Sequence, residues 1–485
     1  MTMSLRDPGG HVCLVDERVI RIVNQNGLSD LLTFLKSDAS AELFESQKLI
    51  NTRFLDEVAT DSLLVHDEIR RAVMESKGAT LLEHERVKFP SFPYEWPAEM
   101  LHAAGALTLD LAEKLLDEEL GLKDASPYNV LFHGPRPVFI DLLSFEPRTT
   151  GDPTWLPLGQ FVRTFLLPLL VNKHFGINLG QLLTTHRDGL EPEEVFRLLS
   201  PTQKVSPSFL TTVSLPVWLG GSEKSDPKIY DQKRLDEPAK ATFILRQVLK
   251  NARRKLNQVA PRANRTSTWS DYMLNNRYSE DYFPLKQKFV SDVINEYRPK
   301  RVFDVGCNTG HFSAIAARGG ASVVAVDYDS VVVGEVWRQA HSENLDILPL
   351  VVDIARPTPS IGWRNRECPS FLDRARGSFD CVFMLGVIHH LLVTERIPLS
   401  EILSLASELT TDSLVIEFVA PDDKMFRRIT RGRDHLFTDL TKETFEQASR
   451  EQFDIVRCER LDQTSRWLYL MKKKGAVVEC FETQQ

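Results

Sequence analysis

From Arg301 to Lys473 the chain alternates short apolar runs with segments of helical length. Runs of roughly four to eight apolar residues spaced in this way are the pattern of βα units feeding a parallel sheet, whose strands are buried on both faces. The pattern predicts strands at 302–305, 322–326, 348–352, 380–385, 413–419, 453–458 and 467–472. The last two lie too close together for a helical crossover and are expected to pair as an antiparallel hairpin. A mostly parallel α/β sheet with one reversed strand follows.

Residues 1–250 are less regular and read as an α+β domain. "HVCLVDERVIRIV" has the look of a hairpin, and 99–120 and 155–175 read as helices. The most apolar stretch, "FVRTFLLPLLV" (Phe161 to Val171), carries Arg163 and Pro168 and is too short to cross roughly 30 Å of hydrocarbon. It reads as a core helix, and no membrane insertion is expected. Between the halves, "KNARRKLNQVAPRANRTSTWSD" is basic and without apolar period, so 251–274 reads as a linker, leaving a C-terminal domain over 275–475 and a tail over 476–485.

Composition narrows the function classes. The 485 residues carry a formal charge of −8, which disfavours a chain built to coat nucleic acid or anionic membrane. Small or neutral substrates fit better, and no nucleic-acid partner is expected. The six cysteines form no C-x-x-C pair, so neither a zinc module nor a disulfide framework is indicated and no metal is expected. With no apolar secretory segment at "MTMSLRDPGGH", the expected location is cytoplasmic.

The chemistry gathers at the expected strand ends. "VFDVGCNTG" places Gly306, Asn308 and Gly310 directly after the first strand of the sheet, where a glycine-rich turn lets backbone approach a ligand. Its G-x-N-x-G spacing departs from the G-x-G-x-x-G dinucleotide fingerprint, which disfavours a pyrophosphate cradle. Asp327, in "VVAVDYD", ends the second strand 23 positions after Asp304, close to the interval of ~20 at which a carboxylate meets ribose hydroxyls. Asp353 ends the third strand, where it would accept from an exocyclic amine, and Asp380 belongs to the fourth, "FDCVFMLGVIHHL".

Residues 275–475 thereby resemble a class I S-adenosylmethionine-dependent methyltransferase: "VFDVGCNTGHFS" its glycine-rich first motif, "VDYD" its ribose-binding acid and "FDCVFMLGVIHHLL" its fourth motif. The resemblance implies a Rossmann-like seven-stranded sheet, S-adenosylmethionine as cofactor, Asp304 with Gly306 and Gly310 at the methionyl end, and Asp327 at the ribose. Asn308 stands where a glycine is common and adds a side chain at the cofactor's edge. For a hydroxyl acceptor, His389 or His390 would serve as base. Glu417 and Asp422, with Asp423, lie where an acceptor would enter, and Tyr278 and Tyr282 would lid the cofactor.

A second resemblance covers a short stretch of the first half. In "LGLKDASPYNVLFHGPRPVFIDLLSFEP", the order Asp124, Asn129, Asp141 is similar to the catalytic loop and metal-binding aspartate of protein kinases and aminoglycoside phosphotransferases. It implies a kinase-like module, catalytic with Mg-ATP or retained as a scaffold. "DLL" stands in place of "DFG", and no phosphate-covering glycine loop or strand-three lysine precedes it. The bland alternative is that Asp124 caps a turn, Asn129 bonds backbone and Asp141 ends a strand. Taken together, "KDASPYN", "FIDLLSFE" and the methyltransferase-like half resemble rhizobial host-specific nodulation proteins of the NoeA type, which implies the tailoring of a signalling or surface glycan. A non-catalytic nucleoside-binding protein is the remaining alternative.

Overall fold

The computed structural model describes residues 7–76, 79–220, 234–263, 266–267, 279–462 and 464–475. The chain divides into two compact units, Met1–Arg262 with Ile361–Cys368, and Ala263–Ser360 with Pro369–Gln485.

In the first unit the expected hairpin forms: β1 (Gly10–Val15) and β2 (Arg18–Val23) pair antiparallel. With β3 (Thr52–Phe54) and β4 (Thr80–His84) they make a sheet of order β1-β2-β4-β3. Four short strands follow as two ribbons: β5 (Leu120–Leu122) pairs with β8 (Phe145–Pro147), and β6 (Val130–His133) with β7 (Arg136–Phe139). The helix Ala98–Leu115 covers the expected 99–120 stretch except its last turn. Part of the basic run read as a linker is helical instead. The helix Pro238–Gln258 buries Ala241, Leu245, Leu249, Ala252 and Leu256, a stripe at helical spacing. Arg253 on it reaches Asp110 at 2.8 Å and Glu113 at 3.0 Å, so its charge is spent on packing against the helix Ala98–Leu115.

The second unit is a seven-stranded sheet whose elements fall within a few residues of expectation: β9 (Arg301–Val305), β10 (Ser322–Asp327), β11 (Ile347–Val351), β12 (Phe379–Met384), β13 (Thr410–Val419), β14 (Phe453–Arg460) and β15 (Arg466–Lys473). The strand order is β11-β10-β9-β12-β13-β15-β14. β15 is antiparallel to both of its neighbours, and every other pairing is parallel. Val302, Phe303 and Val305 of β9 are buried, and Phe303 stacks on Phe379 with ring centroids 4.8 Å apart. Burial on both faces explains why these strands read as unbroken apolar runs. Strand order reverses between β9 and β12, and such a switch point opens a crevice beyond the carboxyl ends of the strands, where ligands of open α/β sheets bind.

Candidate active site

The glycine-rich turn leaves β9 at that switch point. Gly306 takes φ +69°, and the backbone N–H groups of Gly306 and Cys307 donate to the Val326 carbonyl at 2.8 and 3.0 Å, tying the turn to β10. Asn308 sits at φ +50°, a left-handed conformation asparagine tolerates because its short side chain bonds locally. Here its Oδ1 accepts from the Thr309 N–H at 2.7 Å. The substitution of asparagine for the usual glycine therefore costs the turn little. Its own N–H donates to Asp327 Oδ2 at 3.1 Å, so the first turn and the end of β10 are locked to one another.

A cavity of about 400 Å³ opens over this turn, within the roughly 300–1,000 Å³ range of small-molecule sites. Asp304, Gly306, Asn308, Asp327, Asp353 and His390 all line it. Burial raises the Asp304 carboxyl to about 6 against the 2.6 Å hydrogen bond donated by Ser313 Oγ. Burial likewise raises Asp327 to about 6, although the N–H groups of Asp329 and Asn308 donate to it. Two carboxyls held above their ordinary range in one cleft are groups waiting for a donor or a cation. Asp353 is tied down more simply, accepting from the Ala355 N–H at 3.0 Å and pairing with Arg356 at 3.2 Å.

One wall is an ionic network that sequence reasoning missed. Lys286 Nζ donates to Glu417 Oε2 at 2.6 Å, Arg466 reaches Glu417 Oε1 at 3.1 Å, and the same guanidinium grips Asp423 at 2.9 and 3.0 Å. Burial opposes ionisation of Glu417, but Lys286 and Arg466 outweigh it and draw its pKa down to about 2. Lys286 and Arg466 line the cavity. Tyr282 lies one helical turn before Lys286 and also lines it, with the Arg466 guanidinium 5.4 Å from its ring centroid. The spacing of Tyr282 and Lys286 on one helix face was the available signal; Tyr278 lies outside the described residues.

Several expected site residues stand elsewhere. Asp380 is the second residue of β12, at the end away from the glycine turn, where its carboxylate accepts from the backbone N–H groups of Lys300 and Arg301 at 2.8 and 2.9 Å. It ties strand starts together and does not line the cavity. His389 is 1% exposed behind the cavity wall, with neither ring nitrogen hydrogen-bonded, and burial beside His390 and Arg466 holds its pKa well below 6.5. Consecutive helix positions diverge by about 100°, so only His390 reaches the cavity. Glu417 is fully buried in the network above, and Asp422 accepts from Ser465 Oγ at 2.6 Å without lining the cavity.

In the first unit, Asn129 Nδ2 donates to Asp124 Oδ1 at 2.5 Å. Asp141 accepts from the Leu143 N–H at 3.3 Å and pairs with Arg21 of β2 at 2.8 Å. A buried arginine thus takes up the carboxylate that a phosphotransfer reading gives to magnesium. Among the described residues no three His, Cys, Asp or Glu side chains are grouped to hold a metal, and no helix is long and apolar enough to cross a membrane.

Residues 274–469 match the family model described as "Methyltransferase domain". The C-terminal half carries a methyltransferase domain. The matched span holds the glycine turn, Asp327 and the whole cavity lining, so the sequence's reading of a methyltransferase enzyme stands. Over 472 residues, 97% of this chain and 95% of the relative, the chain is 29% identical to "Nodulation protein NoeA" of Rhizobium meliloti (strain 1021). Solved structures similar to part of this chain include the N-methyltransferase NodS of Bradyrhizobium japonicum WM9 in complex with S-adenosyl-L-homocysteine, at 13% identity and TM-score 0.31 over 42% of this chain and 96% of that one. Magnesium protoporphyrin IX methyltransferase from Synechocystis PCC 6803 with bound SAH is similar at 20% identity and TM-score 0.30, over 41% and 87% of the two chains.

Proposed function

We propose that the methyltransferase domain binds S-adenosylmethionine over the Gly306 turn and transfers its methyl group to an oxygen or nitrogen of a small molecule or glycan. The carrying observation is Asp327: a half-buried carboxyl at the end of β10, held by two backbone N–H groups and open to the cavity. A ribose diol supplies the donors such a group lacks. The fit extends to the turn itself, because Gly306 and Gly310 have positive φ and no room for a Cβ beside Val387 and Val336. Asp304 would receive the ammonium of the methionyl end.

When bound, the cofactor supplies a sulfonium-activated methyl group. The protein's part is to orient donor and acceptor about 3 to 3.5 Å apart and keep water out. Burial keeps His390 below its ordinary pKa of 6.5 and hence neutral at pH 7, able to take a proton from an acceptor hydroxyl. Its ring NMR signals should titrate below pH 6.5 and shift on addition of S-adenosylhomocysteine; silence on addition would remove it from the site. The nodulation relative, similar along nearly the whole chain, supports a part in nodulation, and the acceptor we infer is a signalling or surface saccharide.

Calorimetric titration with S-adenosylmethionine and S-adenosylhomocysteine tests the reading. Micromolar affinity, about −8 kcal/mol, is expected, with losses of about tenfold or more in Asp304→Ala and Asp327→Ala. The carboxyls add a pH signature. Raised pKa values mean that protonation of Asp304 and Asp327 favours the empty fold, fully below 3.8 and progressively less as pH rises through about 6. Ligand donors need the ionised forms, so affinity should climb from pH 5 to 7 and then level. A flat profile, or no binding by the folded protein, would remove the reading.

A further inference from the structure

A second cavity of about 910 Å³ adjoins the first, and Thr394 and Ile429 line both. Arg396, from the segment after the helix Ile388–Val393, and Arg428, Arg431 and Arg433, from the segment after β13, all line it. Leu436, 63% exposed, and Phe437 add an apolar wall. Several other arginines of the methyltransferase domain are matched with carboxylates, Arg356 with Glu395, Arg376 with Glu408, Arg457 with Asp292 and Arg466 with Glu417 and Asp423, whereas Arg298, Arg301 and Arg460, unpaired among the described residues, line neither cavity. Among the described residues none of the four around this cavity forms an ion pair. Asp434 bonds Thr430 Oγ1, and Glu395 is taken by Arg356.

Arginines at a helix C-terminus are favourable without a ligand, which accounts for Arg428 in the last turn of Lys424–Thr430. It leaves Arg396 unexplained, since that residue arrives from a segment about thirty positions earlier. Four exposed like charges from two segments line one cavity in a chain of net charge −8; water screens their repulsion, and an anion that joins them would remove it. The guanidinium fork matches planar oxyanions bidentately.

Taking the methyl-transfer reading as its basis, we propose that this second cavity binds an anionic group of the methyl acceptor, a phosphate, sulfate or carboxylate, while the rest of the acceptor reaches past Thr394 and Ile429 to the cofactor cavity. The site sets acceptor specificity and is separate from the cofactor's own contacts.

The test is calorimetric titration of the full chain, preloaded with S-adenosylhomocysteine, with glucose 6-phosphate, glucose 6-sulfate, glucuronic acid and glucose. At least one charged sugar should bind about tenfold or more tighter than glucose, and the order among the three names the group. Arg396→Ala and the double variant Arg431→Ala with Arg433→Ala should each weaken that binding by about fivefold or more, leaving S-adenosylhomocysteine affinity unchanged. The same variants as Arg→Gln keep a polar side chain that can donate hydrogen bonds and remove the charge, and should show the same loss. Affinity should also fall as salt rises from about 50 to about 300 mM. Equal binding of glucose, no binding of any charged sugar, or anion binding indifferent to every arginine variant would overturn the proposal, as would binding confined to phosphatidylglycerol vesicles. If S-adenosylhomocysteine itself fails to bind, the cofactor reading falls, and the same titrations on the unloaded chain still decide whether the cavity takes anions.

Discussion

Glu417→Ala is expected to destabilise the methyltransferase domain by about 3–5 kcal/mol, because it leaves the buried Lys286 ammonium and the Arg466 guanidinium without their shared carboxylate. Glu417 is fully buried, and Lys286 and Arg466 are 9% and 7% exposed, so water can reach the lost partner's place only from the cavity side. Asp423 still holds Arg466, which leaves Lys286 as the more exposed loss. Glu417→Gln, which keeps the volume and one acceptor oxygen, should cost less than Glu417→Ala. The pH dependence follows from the lowered pKa: Glu417's contribution is fully present above its ordinary 4.5 and is lost as pH falls through about 2. Because the chain has two compact units, one global unfolding free energy is not the right readout. Hydrogen exchange of amides in β9, β12 and β13 reports the domain directly. A cost below about 1 kcal/mol there would mean that Lys286 and Arg466 are hydrated through the cavity and that the network is weaker than its burial implies.

The five strands β9 to β13 were legible because each is largely buried on both faces and bounded by helical segments, which leaves few other ways to read "VFDV" or "SLVIEFV". Asp327 was legible for a related reason, as it closes an apolar run. Asp380 was misread although its place in the run held the answer: it is the second residue of β12, and a residue at the start of a parallel strand faces away from the ligand end. His389 and His390 could not be separated by sequence, because one helical step decides which of them faces the cavity. The Lys286–Glu417–Arg466 network was out of reach, since its members lie 131 and 49 positions apart and meet only through the sheet. In the first unit, strands of three or four residues such as β5 and β8 carry too few positions to show a period. There the helix Pro238–Gln258 was hidden among lysines and arginines on its solvent side.

Gly306→Ala is expected to abolish cofactor binding, with a loss of about a hundredfold or more, while leaving the sheet folded. Two separate costs act on the turn. An alanine at φ +69° pays about 1–2 kcal/mol for left-handed backbone, and its Cβ would lie 2.4 Å from Val387 Cγ2, which no side-chain carbon tolerates. Val387 is the N-cap of the helix Ile388–Val393, so relief of the clash moves either that helix or the glycine turn, and both line the cavity. The two costs separate in a cycle with Val387→Ala. That change removes the colliding methyl groups, so the double variant should recover the steric part of the loss and keep only the backbone part, about tenfold in affinity. Gly310→Ala offers an internal comparison, because its Cβ would meet Val336 at 2.9 Å and the first turn would shift less. Titration with S-adenosylhomocysteine, alongside hydrogen exchange in β9, reads both effects. If Gly306→Ala binds as tightly as the parent protein, the ligand does not depend on the glycine turn, and the cofactor would have to be sought elsewhere along the strand ends.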